Sequence, residues 1–128
     1  MNLLLDTHIA LWAITDNPNL APKARQMIAE PRNTIWVSTV SLWEIAIKHS
    51  LERGDMPVSS QDALGYFRQA GYRLLGIEPE HAVAVEGLPK HHTDPFDRLL
   101  VAQALVEPMR LITHDAKVAL YSDTIIYI

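Results

Sequence analysis

The chain has 128 residues, no cysteine and a formal net charge of −4, a length that suits one compact domain able to fold without staples. The missing cysteine excludes disulfides, thiolate metal sites and a cysteine nucleophile. The acidic balance argues against a protein that coats nucleic acid by bulk electrostatics, but not against an enzyme whose acidic centre is neutralised by bound cations.

The N-terminal apolar run is broken by Asp6 and His8 and follows no basic residue. It is therefore expected to be neither a signal peptide nor a membrane span, and the protein is expected to be soluble and cytoplasmic. Leu3–Leu5 reads as a first strand ending at Asp6, followed by a helix over about 9–14. Pro22 fits the first position of a helix running to about Ala29. Thr34-Ile35-Trp36-Val37 is β-branched and aromatic and reads as a second strand. A helix then opens at Ser41 and runs to about Leu51, and Gly54 and Pro57 mark a loop. Residues 61–70 read as a helix ended by Gly71, and 73–77 as a third strand. A short helix covers 80–86, another starts at Asp94-Pro95 and runs to about Leu105, and the remaining strands fall at 110–113 and 124–127. Short apolar runs alternating with amphipathic stretches predict an α/β domain over 1–128 with a mainly parallel sheet.

In such sheets ligands bind beyond the carboxyl ends of the strands. Asp6 follows the first strand, Asp115 follows the fourth, and Glu44 and Asp97 are expected in the first turns of helices entered from that side. Each acid also has a capping reading, typically worth about 1 kcal/mol. Asp6 fits an N-cap, and so do Asp94 and Asp115. Ser41-x-x-Glu44 has the form of a capping box, and Glu44 is spaced to pair with Lys48. Capping and metal binding are compatible, because a helix N-terminus favours the ionised carboxylate that a cation needs. All-oxygen ligands suit magnesium or manganese better than zinc. Thr7, Ser41, Thr113 and His114 stand beside the acids as candidate supports, with Thr113 placed either to brace by hydrogen bonding or simply as a strand residue, and His114 to line a groove. Lys48, Arg98 and Lys117 are candidate phosphate contacts, with surface solubility as the competing reading. His91 and His92 read as surface-loop histidines, since they lack standard zinc-ligand spacing. Trp12, Trp43 and Phe96 are expected to pack in the core or at a subunit interface. No dinucleotide-binding, Walker A or serine-elbow sequence is present.

The segments LLLDTHIALWA at 3–13, VSTVSLWEIAIK at 37–48, DPFDRLLVAQA at 94–104 and LITHDAKV at 111–118 resemble, in order, the PIN domain family and its VapC-type toxins. The resemblance spans essentially the whole chain. It implies a three-layer fold with a twisted parallel sheet of about five strands flanked by helices. It also implies a Mg²⁺- or Mn²⁺-dependent endoribonuclease, the toxin of a type II toxin–antitoxin pair, with an RNA substrate. By motif, Asp6, Glu44, Asp97 and Asp115 take the family's catalytic and metal-binding positions, and Asp94 is an extra acid that carries over only as a support. A cognate antitoxin and a homodimer are implied by the same resemblance. A receiver-type signalling domain is the first rival, but Gly76-Ile77-Glu78 lacks the Asp it needs after the third strand. A non-catalytic protein-binding module is the second, and the complete acidic set argues against it.

Overall fold

Strand β1 (Asn2–Leu5) is the centre of the molecule, and its three leucines are fully buried. Alternate side chains of a strand face opposite ways, so Leu3 and Leu5 pack into one core and Leu4 into another. A strand buried on both faces reads as a continuous apolar run, as Leu3-Leu4-Leu5 does. The computed structural model describes residues 1–52 and 56–128. Gly54, assigned to a loop by the sequence, lies outside the described residues.

After β1 the chain forms α1 (Thr7–Ile14), α2 (Pro22–Ala29), β2 (Thr34–Ser38), α3 (Thr39–Ser50) and α4 (Ser60–Gln69). Then come β3 (Arg73–Leu75), α5 (Pro79–Val85), α6 (Pro95–Val106), β4 (Arg110–Thr113), α7 (Ala116–Ala119) and β5 (Ile126–Tyr127). Pro22 and Pro95 each occupy the start of their helix, where the missing N–H costs nothing. Gly71 follows α4 with φ at +81°, the left-handed conformation that ends helices and that glycine adopts without strain.

The strands pair in the order β3-β2-β1-β4-β5, all parallel. One core carries side chains of α1, α2, α3 and α4, and the other those of α6 and α7. The result is a helix–sheet–helix sandwich. Strand order reverses between β1 and β4, so the chain leaves these two neighbours in opposite directions and opens a crevice at their carboxyl ends. Leu5 pairs with both Val37 and Ile112, which brings Asp6 level with the ends of β2 and β4. Among the described residues, no helix is long and apolar enough to cross a membrane.

Some element bounds differ from the sequence reading. Helix α3 begins at Thr39 with Ser38 as its N-cap, the Ser38 hydroxyl accepting from the Val40 N–H at 3.0 Å. Ser41 and Glu44 are therefore inside the helix, and the predicted capping box does not form. The third strand ends at Leu75 and the fifth starts at Ile126.

Ser38 also ties α3 to the opposite layer. Its hydroxyl donates to Gln103 Oε1 on α6 at 2.5 Å, and Gln103 Nε2 donates to the Gly76 carbonyl at 3.2 Å. Ser38 and Gln103 are both fully buried. Gln103→Leu keeps the volume but strands these partners without water, at about 1–3 kcal/mol per unsatisfied group. Urea denaturation should show a lower midpoint with an unchanged slope; an unchanged midpoint would contradict this role.

Candidate active site

The crevice beyond β1 and β4 holds a groove of about 630 Å³. Among the described residues that line it, five are acids (Asp6, Glu44, Asp94, Asp97 and Asp115) and one, Lys48, is a lysine. Four separate connections deliver these carboxylates. Asp6 comes straight off β1, Asp115 follows β4, Asp94 and Asp97 open α6, and Glu44 projects from α3. Glu44 lies in the second turn of α3, not the first as the sequence suggested, because the helix starts earlier.

Asp6 is nearly inaccessible, at 6% exposure. It caps α1, with Oδ1 accepting from the Ile9 N–H at 2.9 Å. Oδ2 accepts from the Thr113 hydroxyl at 2.5 Å, and Thr113 in turn accepts from the Asp115 N–H at 3.0 Å. Thr113 thus braces two of the acids, as its position after the β4 apolar run suggested. Burial raises the pKa of Asp6, against the lowering effect of the Thr113 and Ile9 hydrogen bonds.

Glu44 is buried beside Thr7, Ser41 and Lys48. The Thr7 hydroxyl lies 2.7 Å from Glu44 Oε1 and 2.9 Å from Ser41 Oγ. With one hydrogen to give, Thr7 serves the carboxylate, and the Ser41 hydroxyl is left to donate to Thr7. Lys48 Nζ donates to Glu44 Oε2 at 2.6 Å, forming the ion pair the spacing predicted.

Asp94 and Asp97 share the first turn of α6. Asp94 is its N-cap, with Oδ1 accepting from the Phe96 and Asp97 N–H groups at 2.8 and 3.1 Å. Through Oδ1 it fixes the turn that carries Asp97. Asp97 has its pKa pushed up to about 7, first by desolvation, then by the charges of Asp94, Asp6 and Glu44, with His92 acting the other way. Asp115 behaves differently. Desolvation raises its pKa, but the His92 hydrogen bond and the backbone N–H groups of Lys117 and Val118 outweigh it, leaving a net lowering.

The sequence reading placed His92 in a surface loop and missed its role in this geometry. Its Nε2 lies 2.9 Å from Asp115 Oδ2 and 3.1 Å from Asp97 Oδ2. Its Nδ1 accepts from the Asp94 N–H at 3.1 Å, so the hydrogen of the neutral ring sits on Nε2 and points at the two carboxylates. One ligand atom from each of His92, Asp97 and Asp115 falls within 4.8 Å of the others. The signal in the sequence was the adjacency of His92 to Asp94, whose N-cap turn folds the ring back over the helix start.

Arg98 is not placed for phosphate. Nη1 donates to the Pro89 carbonyl at 3.0 Å and the Tyr121 hydroxyl at 3.1 Å, and Nη2 donates to the Val85 carbonyl at 3.2 Å. The guanidinium fastens the segment that carries His92, whose N–H donates to the Tyr121 hydroxyl at 2.9 Å. Lys117 is exposed and does not line the groove. Its backbone N–H does contribute, donating to Asp115 Oδ1 at 2.8 Å. His114 does line the groove. Trp43 is 52% exposed rather than a core residue, with Phe96 edge-on to it at 5.0 Å between ring centres. Trp12 packs against the core and also faces the groove.

A model of the PIN domain matches residues 3–123. This chain belongs to the PIN domain family. The PIN chain is 31% identical over 118 residues to Ribonuclease VapC22 of Mycobacterium tuberculosis, covering 90% of this chain and 88% of the relative. Its fold is similar to a crystal structure of VapBC2 from Rickettsia felis bound to a DNA fragment from their promoter (TM-score 0.72, 19% identity, covering 100% of this chain and 98% of that one). It is also similar to DNA-bound VapBC from Salmonella typhimurium (TM-score 0.66, 16% identity, covering 100% and 97%). The five-stranded parallel sheet flanked by helices is the PIN-like fold expected from the resemblance.

The raised pKa of Asp97 has a consequence for stability. The folded state binds a proton more tightly than the unfolded chain, so this contribution is fully present below about pH 4, the unfolded value, and is lost as pH rises through about 7. In the presence of chelator, the parent and Asp97→Asn proteins should be equally stable near pH 4. Above pH 7 the Asn variant should be the more stable by at least about 1 kcal/mol. Thermal denaturation across this range checks it; parallel curves would contradict the placement of Asp97 among the other acids.

Proposed function

We propose that this PIN domain is a divalent-metal-dependent endoribonuclease and the toxin half of a type II toxin–antitoxin pair. The observation that carries the reading is the meeting of Asp6, Glu44, Asp97 and Asp115 in one groove, in a chain 31% identical to Ribonuclease VapC22. The preference for RNA rests on that relative, because metal-assisted hydrolysis does not need the 2′-hydroxyl.

The donor chemistry fits a hard divalent cation. The groove collects carboxylates whose repulsion and burial push Asp97 towards protonation, and oxygen donors of this kind suit Mg²⁺ or Mn²⁺. Asp6, Asp97 and Asp115 would hold the cation, with Glu44 binding directly or through water and Asp94 supporting Asp97. A cation bound there would lower the pKa of a coordinated water and offset charge developing on the scissile phosphate.

The protein's own groups perform the positioning. Thr113 orients Asp6, and Thr7 with Lys48 orients Glu44. The α1 and α6 N-termini favour the ionised form of the carboxylates they carry. His92 presents its Nε2–H beside Asp97 and Asp115, where it can donate to an oxygen of the substrate phosphate once those carboxylates bind a cation. Lys48, already paired to Glu44, adds positive charge at the groove wall.

A small antitoxin is the proposed protein partner, a homodimer the proposed assembly and the cytoplasm the proposed place of action. These extend to this chain what VapC-type relatives imply.

Asp6→Asn and Asp97→Asn should each abolish manganese-stimulated cleavage of RNA while leaving the circular dichroism spectrum unchanged. Retention of the parent's cleavage rate in either purified variant would refute the assignment.

A further inference from the structure

One wall of the groove is unlike the rest. His8 and Trp12 of α1, His114 after β4 and Tyr127 of β5 all line it. Their rings form a continuous series, with centres 6.0 Å apart for His8–Trp12, 5.4 Å for Trp12–His114 and 6.3 Å for His114–Tyr127. His114 and Tyr127 lie within 26° of parallel. The two inner members of the series are anchored. Trp12 packs against the apolar core, and His114 Nδ1 is 2.6 Å from the Ile128 carbonyl, which only a ring N–H can satisfy. Tyr127 is half exposed, at 52%.

These four residues come from three elements far apart in sequence, and hydrophobic burial does not explain their shared wall. His8, His114 and Tyr127 are exposed. The same groove is also lined by the carboxylates, which repel a polyanion unless a cation intervenes. An RNA strand whose scissile phosphate is at the acids must direct its bases elsewhere. The ring series offers π faces, on which any unpaired base can stack.

We propose that Trp12, His114 and Tyr127 form a base-stacking ledge that binds an unpaired nucleotide of the RNA beside the scissile phosphate. The inference rests on the ribonuclease reading and adds the residues that hold a base next to the cleavage site. Base-paired RNA keeps its bases stacked on one another and cannot present a face to the ledge.

The test uses the full chain carrying Asp97→Asn to prevent cleavage, and a fluorescently labelled single-stranded RNA of about ten nucleotides. Fluorescence anisotropy gives the dissociation constant. Trp12→Ala and Tyr127→Ala should each weaken binding about fivefold or more, the loss of one stacking contact, and Trp12→Phe should recover most of it. An oligonucleotide with abasic sites in place of the central bases should bind weakly to the parent and be insensitive to both substitutions. A duplex of the same sequence should behave like the abasic strand. Trp12→Ala removes core packing, so Tyr127→Ala, at an exposed position, is the decisive variant if the former fails to fold. Equal affinity of Tyr127→Ala and parent for the single strand, or equal affinity of the parent for abasic and normal strands, overturns the ledge. A parent that cuts RNA while these variants bind unchanged overturns the ledge alone. A parent that neither binds nor cuts RNA overturns the ribonuclease reading and the ledge with it.

Discussion

Carboxylates resist being desolvated together, and this PIN domain desolvates several in one crevice. The cost of burying a charge without a partner is several kcal/mol, and it falls on the junction between β1 and β4. The protein offsets part of it locally. Asp6 receives a hydroxyl and a helix N–H, Glu44 a hydroxyl and an ammonium, and Asp115 a histidine N–H and two backbone N–H groups. Asp97 has least protection and carries the residual conflict, with its pKa displaced to about 7. The sheet topology sets the acid-bearing segments around one edge, where their carboxylates line the same groove.

The surrounding polar network ties the acid-bearing segments to other elements. Thr113 joins Asp6 to the Asp115 backbone, Arg98 and Tyr121 fix the segment bearing His92, and Ser38 links the helix of Glu44 to Gln103 across the sheet. Thr113 holds a carboxylate directly, Arg98 and Tyr121 hold the segment of the His92 that touches two more, and Ser38 holds the start of the helix that carries Glu44. A loose site would relax by turning its acids towards water. These ties keep them facing the groove, which pre-organises the site for a cation.

Much of the fold was readable in the chain. The run Leu3-Leu4-Leu5 ending in Asp6 signals a strand buried on both faces that meets a crevice, and Pro22, Pro95 and Gly71 mark helix ends by simple backbone constraints. The bounds of α3 were misread because Ser38 and Ser41 compete as caps, and sequence alone does not say which serine has extended backbone. The acids were legible as residues but not as partners. Spacing showed the Glu44–Lys48 pair and the Asp94 cap. The contacts of His92 with Asp97 and Asp115, and of Arg98 with Val85 and Pro89, depend on how the segment before α6 folds back. No periodicity encodes that path. The aromatic wall was equally hidden, since Trp12, His114 and Tyr127 meet only when β5 pairs with β4.

The central claim is that the acids are held in unfavourable proximity which a divalent cation relieves. Isothermal titration with Mn²⁺ at pH 7, repeated in buffers of different ionisation enthalpy, tests it directly by counting protons released. With the Asp97 pKa at about 7, binding should release roughly half a proton per cation at that pH, declining towards zero as pH is raised. Binding with no proton release at pH 7, or no binding at all, would contradict the account.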